Sequence, residues 1–311
     1  MRLLYVLEGQ RIKVLSLQSI LKLPEHKVKL VKRMLKGQIE SFIREDLGYY
    51  DISCQLVPDT IAEAVIFAKQ DCVVAGAEVA EAIFDYFDIE YERKVAEGEK
   101  IQNNDVVFEL KGRTVSLLRA ERLVLNFLGH LSGIATLTRD CVETVNQCSE
   151  AVVAATRKTT PGIREFEKMA VIAGGGDPHR FNLSDSIMIK DNHRNIMGLE
   201  NAILKAKEMA SFTQKIEAEV ESATDAVLAA KMGVDIVMLD NMSPSEVIST
   251  VEKLRHEGLR NRVIVEVSGG INTENLAEYA KTGIDVISMG SLIHKAQWAD
   301  LSMEMKGYFM P

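Results

Sequence analysis

The sequence predicts an α/β protein: an open (β/α) barrel preceded by a smaller α+β sandwich domain. Beyond His193, strand-like and amphipathic helical runs alternate at regular spacing, the pattern of a parallel α/β barrel or a doubly wound sheet. The last two of those strands end in Ser268-Gly269-Gly270 and Gly290-Ser291. Glycine loops after the final two strands are where such barrels hold a phosphate, which favours the barrel. Within residues 34–127, strands and helices mix without strict alternation, as expected for an α+β sandwich. The expected division is an N-terminal extension 1–33, the sandwich 34–127, the barrel 128–290, and a closing segment 291–311 that packs back on the N-terminal domain.

In chain order, LLYVL and RIKVLSL read as two short strands, followed by a polar and basic stretch from Pro24 to Arg33 to which no function is assigned. From Lys36 to Arg44, Ile39, Phe42 and Ile43 fall at helical spacing. Ala62–Ala68 and Asp71–Ala75 read as strands, Glu78–Phe87 as a helix, and Tyr91–Val115 as further strands joined at Glu97-Gly98 and Lys111-Gly112. A helix over Val115–Leu128 carries the stripe Leu117, Leu118, Val124, Leu125, Leu128, interrupted by Glu121 with Arg122 beside it. A charge on an apolar stripe is costly unless paired, so this pair is either neutralised structurally or lines a polar cavity. A second helix, Ser132–Cys148, reads as core.

Val152–Thr156 reads as a buried strand that delivers Arg157 and Lys158 to its carboxyl end, where α/β folds keep their chemistry. Thr160 and Pro161 form an N-cap and first-turn signal for a helix over Gly162–Ala173, which Gly174-Gly175-Gly176 ends. His179-Arg180 follows, and Ser186–Ile189 is a second strand with Lys190 at its end. A chain of net charge −8 that gathers these cations in one stretch has built an anion site. In Ile216–Glu221, Glu217, Glu219 and Glu221 alternate with apolar residues and so project to one side of a strand, the lumen side in a barrel. Asp240 stands at the end of the next strand.

At 311 residues, 47% hydrophobic and 26% charged, the chain is long enough to bury a large core. No apolar run approaches the roughly 18 residues of a membrane span, and the first residues lack a signal-peptide pattern, so the expected setting is cytoplasmic. Cys54, Cys72, Cys141 and Cys148 show no metal-ligand spacing and are expected to be reduced thiols. A pI near 5.4 without a basic tract argues against a nucleic-acid partner.

The motifs ATRKTTPG, GGGDPHR and IKDNH, in that order and spacing, resemble the quinolinate phosphoribosyltransferase family, and the resemblance spans about residues 34–306. LLRAERLVLNFLGHLSGIATLT, the alternating acids and Leu239-Asp240-Asn241 resemble further segments of that family. The resemblance implies that Arg157, His179, Arg180 and Lys190 hold pyridine-2,3-dicarboxylate (quinolinate), joined by Arg122 from a partner subunit. It therefore implies a homodimer, or a multiple of dimers, with shared active sites. By the same resemblance, Lys158 bridges towards the sugar-phosphate side, and Ser268, Gly269, Gly270, Gly290 and Ser291 take the 5′-phosphate. Glu219 and Asp240 would attend the ribose hydroxyls and the Mg2+ of phosphoribosyl pyrophosphate, which makes Lys158, Glu219 and Asp240 the implied catalytic set. No organic cofactor is required. GGGDPHR departs from the common GGGxNHR, and Ile172 stands where relatives often carry a basic residue. Other readings are a sister family associated with molybdate transport, a nicotinate-specific transferase, and a non-catalytic small-anion binding protein.

Overall fold

The computed structural model describes residues 5–8, 11–14, 37–49 and 51–308. Tyr5–Glu8 (β1) and Arg11–Val14 (β2) pair antiparallel, as the two short apolar runs suggest. The stretch Pro24–Arg33 lies outside the described residues. Residues 37–47 form a helix (α1) on the buried side chains Ile39 and Ile43. Among the described residues, no helix is long and apolar enough to cross a membrane. The chain divides into two compact units.

One unit includes Ser16–Leu137, Ile172–Gly175 and Ala296–Pro311. Its main sheet centres on Ile61–Ala68 (β3), which pairs antiparallel with Val106–Arg113 (β7) and with Leu301–Tyr308 (β14); Glu90–Arg93 (β5) pairs with the far side of β7. Cys72–Val73 (β4) and Lys100–Ile101 (β6) form a second small ladder. Ala77–Tyr86 (α2) buries Val79, Ala80, Ile83 and Phe84. The Phe84 ring meets Phe108 edge-on, with centroids 5.3 Å apart, and Tyr91 at 5.6 Å.

Where the sequence suggests two helices broken near Gly129, the structure has one 33-residue helix, Thr114–Asn146 (α3). The glycines at positions 129 and 133 serve close approach, not termination. A Cβ on Gly129 would lie 2.9 Å from the Ala299 carbonyl oxygen, and one on Gly133 would collide with the Gln297 carbonyl. The Ala299 amide donates to the Gly129 carbonyl at 2.8 Å. Leu117, Val124, Leu125 and Leu128 are buried as the stripe predicts, and Arg122 is exposed.

The other unit includes Thr138–Val171 and Gly176–Lys295. Six parallel strands, Val152–Ala154 (β8), Ile187–Ile189 (β9), Ile216–Val220 (β10), Ile236–Asp240 (β11), Ile264–Ser268 (β12) and Val286–Ser288 (β13), lie in the order β8-β13-β12-β11-β10-β9. Because the first strand pairs with the last while β8 and β9 do not pair, the sheet curls into a barrel with one open seam. Asp177 enters that seam: its amide donates to the Val153 carbonyl at 2.8 Å and its carbonyl accepts from the Ala155 amide at 2.9 Å. Leu199–Met209 (α6), Ala223–Lys231 (α7), Pro244–His256 (α8) and Leu276–Ala280 (α9) connect the later strands.

Two helices before these also differ from expectation. Arg164–Ala173 (α4) starts two residues later than predicted, because Gly162 sits at φ 91°, outside the helical region. Thr160 is not its N-cap; its amide donates to the buried Glu167 carboxylate at 2.8 Å. Asp191–Met197 (α5) is an additional short helix that begins directly after Lys190.

Candidate active site

Parallel strands bring all their carboxyl ends to one rim, and the register decides which side chains share a face. Glu217 pairs with Met188, Glu219 with Met238, Met238 with Glu266, Asp240 with Ser268, Ser268 with Ser288, and Ser288 with Ala154. Alternation then puts the acids and serines on the lumen face and Ala218, Val220, Val237, Leu239, Val265 and Val267, all buried, on the face towards the helices. The lumen is therefore polar and strongly acidic at its floor, and the rim above it carries the cations.

Arg157 is half-buried, and its Nε is shielded from solvent with no hydrogen-bond partner among the described residues. A guanidinium donor left in this state is costly unless a ligand completes it. Lys158 is exposed and lies across the next strand end. A Cβ on Gly290 would come within 2.8 Å of Lys158 Cδ and 3.3 Å of both Thr156 Oγ1 and His294 Nε2, so the glycine is what admits this crossing. Gly269 and Gly270 hold φ of 96° and 63°, and a Cβ on Gly269 would press to 2.8 Å from the Asn241 amide nitrogen. Ser291 Oγ donates to the Ile271 carbonyl at 3.1 Å and so ties the two glycine loops together.

On the opposite side, Lys190 Nζ donates to Glu219 Oε2 at 2.9 Å. Arg194 of α5 fixes the same strand end, donating to the Glu219 carbonyl at 2.9 Å and lying 3.8 Å from the Glu221 carboxylate. Of the three alternating acids, Glu217 and Glu219 are buried and Glu221 is exposed beyond the strand. Asp240 Oδ2 accepts from Asn241 Nδ2 at 2.6 Å, and burial first, then the Glu219 charge, raise its carboxyl above the usual range.

The seam segment is held from several sides. His179 sits at φ 54°, with its amide donating to Asp177 Oδ1 at 2.6 Å. Its Nδ1 accepts from the Arg180 amide at 2.8 Å, and its Nε2 lies 3.4 Å from Glu266 Oε1 and 3.9 Å from Glu217 Oε2. Glu266 Oε1 also accepts from Ser288 Oγ at 2.5 Å. Arg180 donates to the Ser186 carbonyl at 3.4 Å and approaches Met188 Sδ at 3.1 Å. Below it, fully buried Lys168 donates to the Pro178 carbonyl and lies over the Phe181 ring, and burial lowers its amine to about 8.

Arg157, Lys158, His179, Arg180, Lys190, Glu219, Asp240, Ser268, Gly269, Gly270, Gly290 and Ser291 all belong to the barrel unit, whereas Arg122 belongs to the other unit, on α3. The ring nitrogens of His179 are turned to the backbone and the lumen acids, and Lys190 is turned to Glu219. Thr156, Lys168, Arg194, Ser288 and His294 did not stand out in the sequence. Lys168 sits on a helix with no motif around it, and a lone serine inside a short apolar strand gives no signal of a buried carboxylate opposite.

The models of the quinolinate phosphoribosyl transferase C-terminal and N-terminal domains match residues 134–304 and 51–132. A probable nicotinate-nucleotide pyrophosphorylase [carboxylating] of Methanothermobacter thermautotrophicus is 46% identical over 273 residues, which cover 86% of this chain and 98% of the relative. The nicotinate-nucleotide pyrophosphorylase [carboxylating] of Homo sapiens is 37% identical over 273 residues, covering 87% and 91%. The solved nicotinate-nucleotide pyrophosphorylase of Francisella tularensis superposes with a TM-score of 0.82 at 34% identity, covering 92% of this chain and 98% of that one. With both domain models matched in sequence over the same barrel and sandwich, the chain belongs to the quinolinate phosphoribosyl transferase family.

Proposed function

We infer that the chain transfers the phosphoribosyl group of phosphoribosyl pyrophosphate to quinolinate with loss of carbon dioxide. The products are nicotinate mononucleotide, pyrophosphate and CO2, a step of NAD biosynthesis. The observation that carries this reading is the buried, unpartnered Nε of Arg157 on a rim that also holds Arg180 and the ion pair of Lys190 with Glu219, with Asp240 on the strand next to Glu219. A dianionic pyridine dicarboxylate fits the cationic side, and a ribose that gains positive charge fits the acidic side.

Arg157 and Arg180 orient the dicarboxylate so that the ring nitrogen faces the anomeric carbon, and Lys158 spans towards the sugar phosphate over Gly290. The glycine loops after β12 and β13 take the 5′-phosphate on close backbone. As the bond to pyrophosphate breaks, positive charge grows on the anomeric carbon, and Glu219 and Asp240 stabilise it electrostatically. The nitrogen lone pair forms the new bond and leaves a pyridinium. The bond to the 2-carboxylate then breaks, its electron pair goes to the ring carbon, and that carbon takes a proton.

Glu219 and Asp240 also suit Mg2+. Asp240 is raised in part by the Glu219 charge, so a hard cation between these carboxylates would relieve their repulsion. When bound, it would neutralise the pyrophosphate. The site is shared between two subunits, Arg122 of one reaching the dicarboxylate of the other. This is supported by an arginine that stands exposed on a helix with a buried apolar stripe. Incubation with phosphoribosyl pyrophosphate, Mg2+ and either quinolinate or nicotinate tests the reaction. Nicotinate mononucleotide is expected from quinolinate with equal amounts of CO2 and pyrophosphate; product from nicotinate at comparable efficiency refutes the substrate.

A further inference from the structure

Arg157 and Lys158 stand on the loop after β8, and His179 and Arg180 on the seam strap; neither segment by itself fixes the spacing between these cations. Helix α4 lies between the two in the chain and holds both. Its residues Arg164, Glu167 and Lys168 follow the spacing i, i+3, i+4 and so share one face. Glu167 and Lys168 are fully buried, and Arg164 is half-buried. Towards the first loop, Arg164 Nε donates to Thr159 Oγ1 at 3.0 Å, and Thr159 Oγ1 donates in turn to the Arg157 carbonyl at 3.5 Å. Glu167 Oε2 accepts the Thr160 amide at 2.8 Å. Towards the strap, Arg164 Nη1 donates to the Phe181 carbonyl at 3.1 Å. Lys168 donates to the Pro178 carbonyl, with its amine 5.4 Å from the centre of the Phe181 ring.

Lys168 acts on one peptide group. The carbonyl it holds belongs to the peptide between Pro178 and His179, and the amide of that peptide donates to Asp177 Oδ1 at 2.6 Å, so the plane is fixed from both ends. The next amide, of Arg180, is tied to His179 Nδ1 at 2.8 Å. Between these two planes His179 sits at φ 54°, a left-handed conformation that residues other than glycine rarely adopt. The direction in which His179 and Arg180 leave the strap therefore depends on Lys168. An apolar side chain would fill the same interior without the penalty of burying an amine, and like charges at i and i+4, as in Arg164 and Lys168, weaken a helix. The carbonyl contacts that both cations make to the strap offset these penalties.

We propose that Lys168, with Arg164 and Glu167, is a positioning residue for the dicarboxylate: this face of α4 sets the spacing of Arg157 against His179 and Arg180, so that they meet two adjacent carboxylates at once. The proposal rests on the reading of the substrate as a pyridine dicarboxylate. The amine of Lys168 is occupied by the Pro178 carbonyl and the Phe181 ring, and it acts through them.

Lys168→Met keeps an unbranched side chain of similar length and removes the donor. Steady-state rates are expected to show a KM for quinolinate raised about 10- to 100-fold, the scale of a misplacement of about 1 Å, with the KM for phosphoribosyl pyrophosphate unchanged. A purely structural role would leave less folded enzyme, lowering kcat with both KM values at wild type, and that result overturns the proposal. So does an equal rise in both KM values, or no change in any of the three. If Lys168→Met is unfolded by circular dichroism, Arg164→Met, at a half-buried position, is read by the same comparison. Hydrogen exchange followed by mass spectrometry keeps the positioning role apart from the substrate reading. The variant is expected to lose protection in residues 177–182 while β10, β11 and β12 exchange as in wild type. Unchanged exchange in the strap, or faster exchange throughout the barrel, overturns the positioning role. If wild type neither binds nor converts quinolinate, the substrate reading fails, and the exchange comparison still decides what Lys168 does.

Discussion

Glu219 is held at both ends, its carboxylate by Lys190 and its carbonyl by Arg194, whereas Asp240 is steadied by the neighbouring Asn241 amide. Such fixed acids stabilise developing positive charge without reorganising when it appears. Glu219→Gln and Asp240→Asn are accordingly expected to lower kcat by about two orders of magnitude, the scale of losing one preorganised electrostatic group, while quinolinate still binds. Steady-state rates with a parallel binding titration check this. An equal loss of quinolinate binding in both variants would mean that the two halves of the site are reversed. The acids themselves are legible in the sequence because strand alternation marks them; the Lys190 to Glu219 pair is not, since 29 positions separate its members.

Helix α3 shows how a local signal is overruled. Glycine costs about 1 kcal/mol in a helix interior relative to alanine, so Gly129 reads as a break, while Gly133 falls inside the second expected helix. The backbone at Gln297 and Ala299 comes so near that a side chain at either glycine has no room, and the helix continues. Gly133→Ala, which would stabilise an exposed helix, is therefore expected to destabilise this protein by about 1–3 kcal/mol through overpacking. A chemical-denaturation midpoint compared with wild type reads the sign directly; an upward shift would show that the Gln297 backbone yields freely. At the start of α4 the local signal also fails, because Thr160 gives its amide to Glu167 without capping the helix and Gly162 at φ 91° delays the helix.

The proposed shared site makes a prediction for the assembly as a whole. Arg122→Ala is expected to weaken quinolinate binding by about 2–5 kcal/mol, the penalty for removing one partner of a buried charge pair, with the fold unchanged. Arg122→Ala and Lys158→Ala dimers should each be nearly inactive. After subunit exchange, a mixed dimer combines one intact rim with one intact Arg122, so up to one working site per heterodimer should return. A mixture as inactive as its parents, with exchange demonstrated by mass, means that Arg122 serves its own chain and the shared site must be abandoned.

By itself the sequence determined the parallel barrel unit, the sandwich before it, and the rim. Strand alternation, glycine loops and cations at strand ends are short-range patterns that backbone geometry converts into position. What only the tertiary structure decided is long-range: the open seam between β8 and β9, the strap that Lys168 holds beneath Pro178, the tie from Ser291 to the neighbouring loop, and the meeting of Glu217, Glu266 and His179 in the lumen. Those residues lie on separate strands and loops, and what each does depends on which charges share its low-dielectric surroundings. No pattern along the chain records that, because burial and proximity arise only when the sheet curls and brings its first strand against its last.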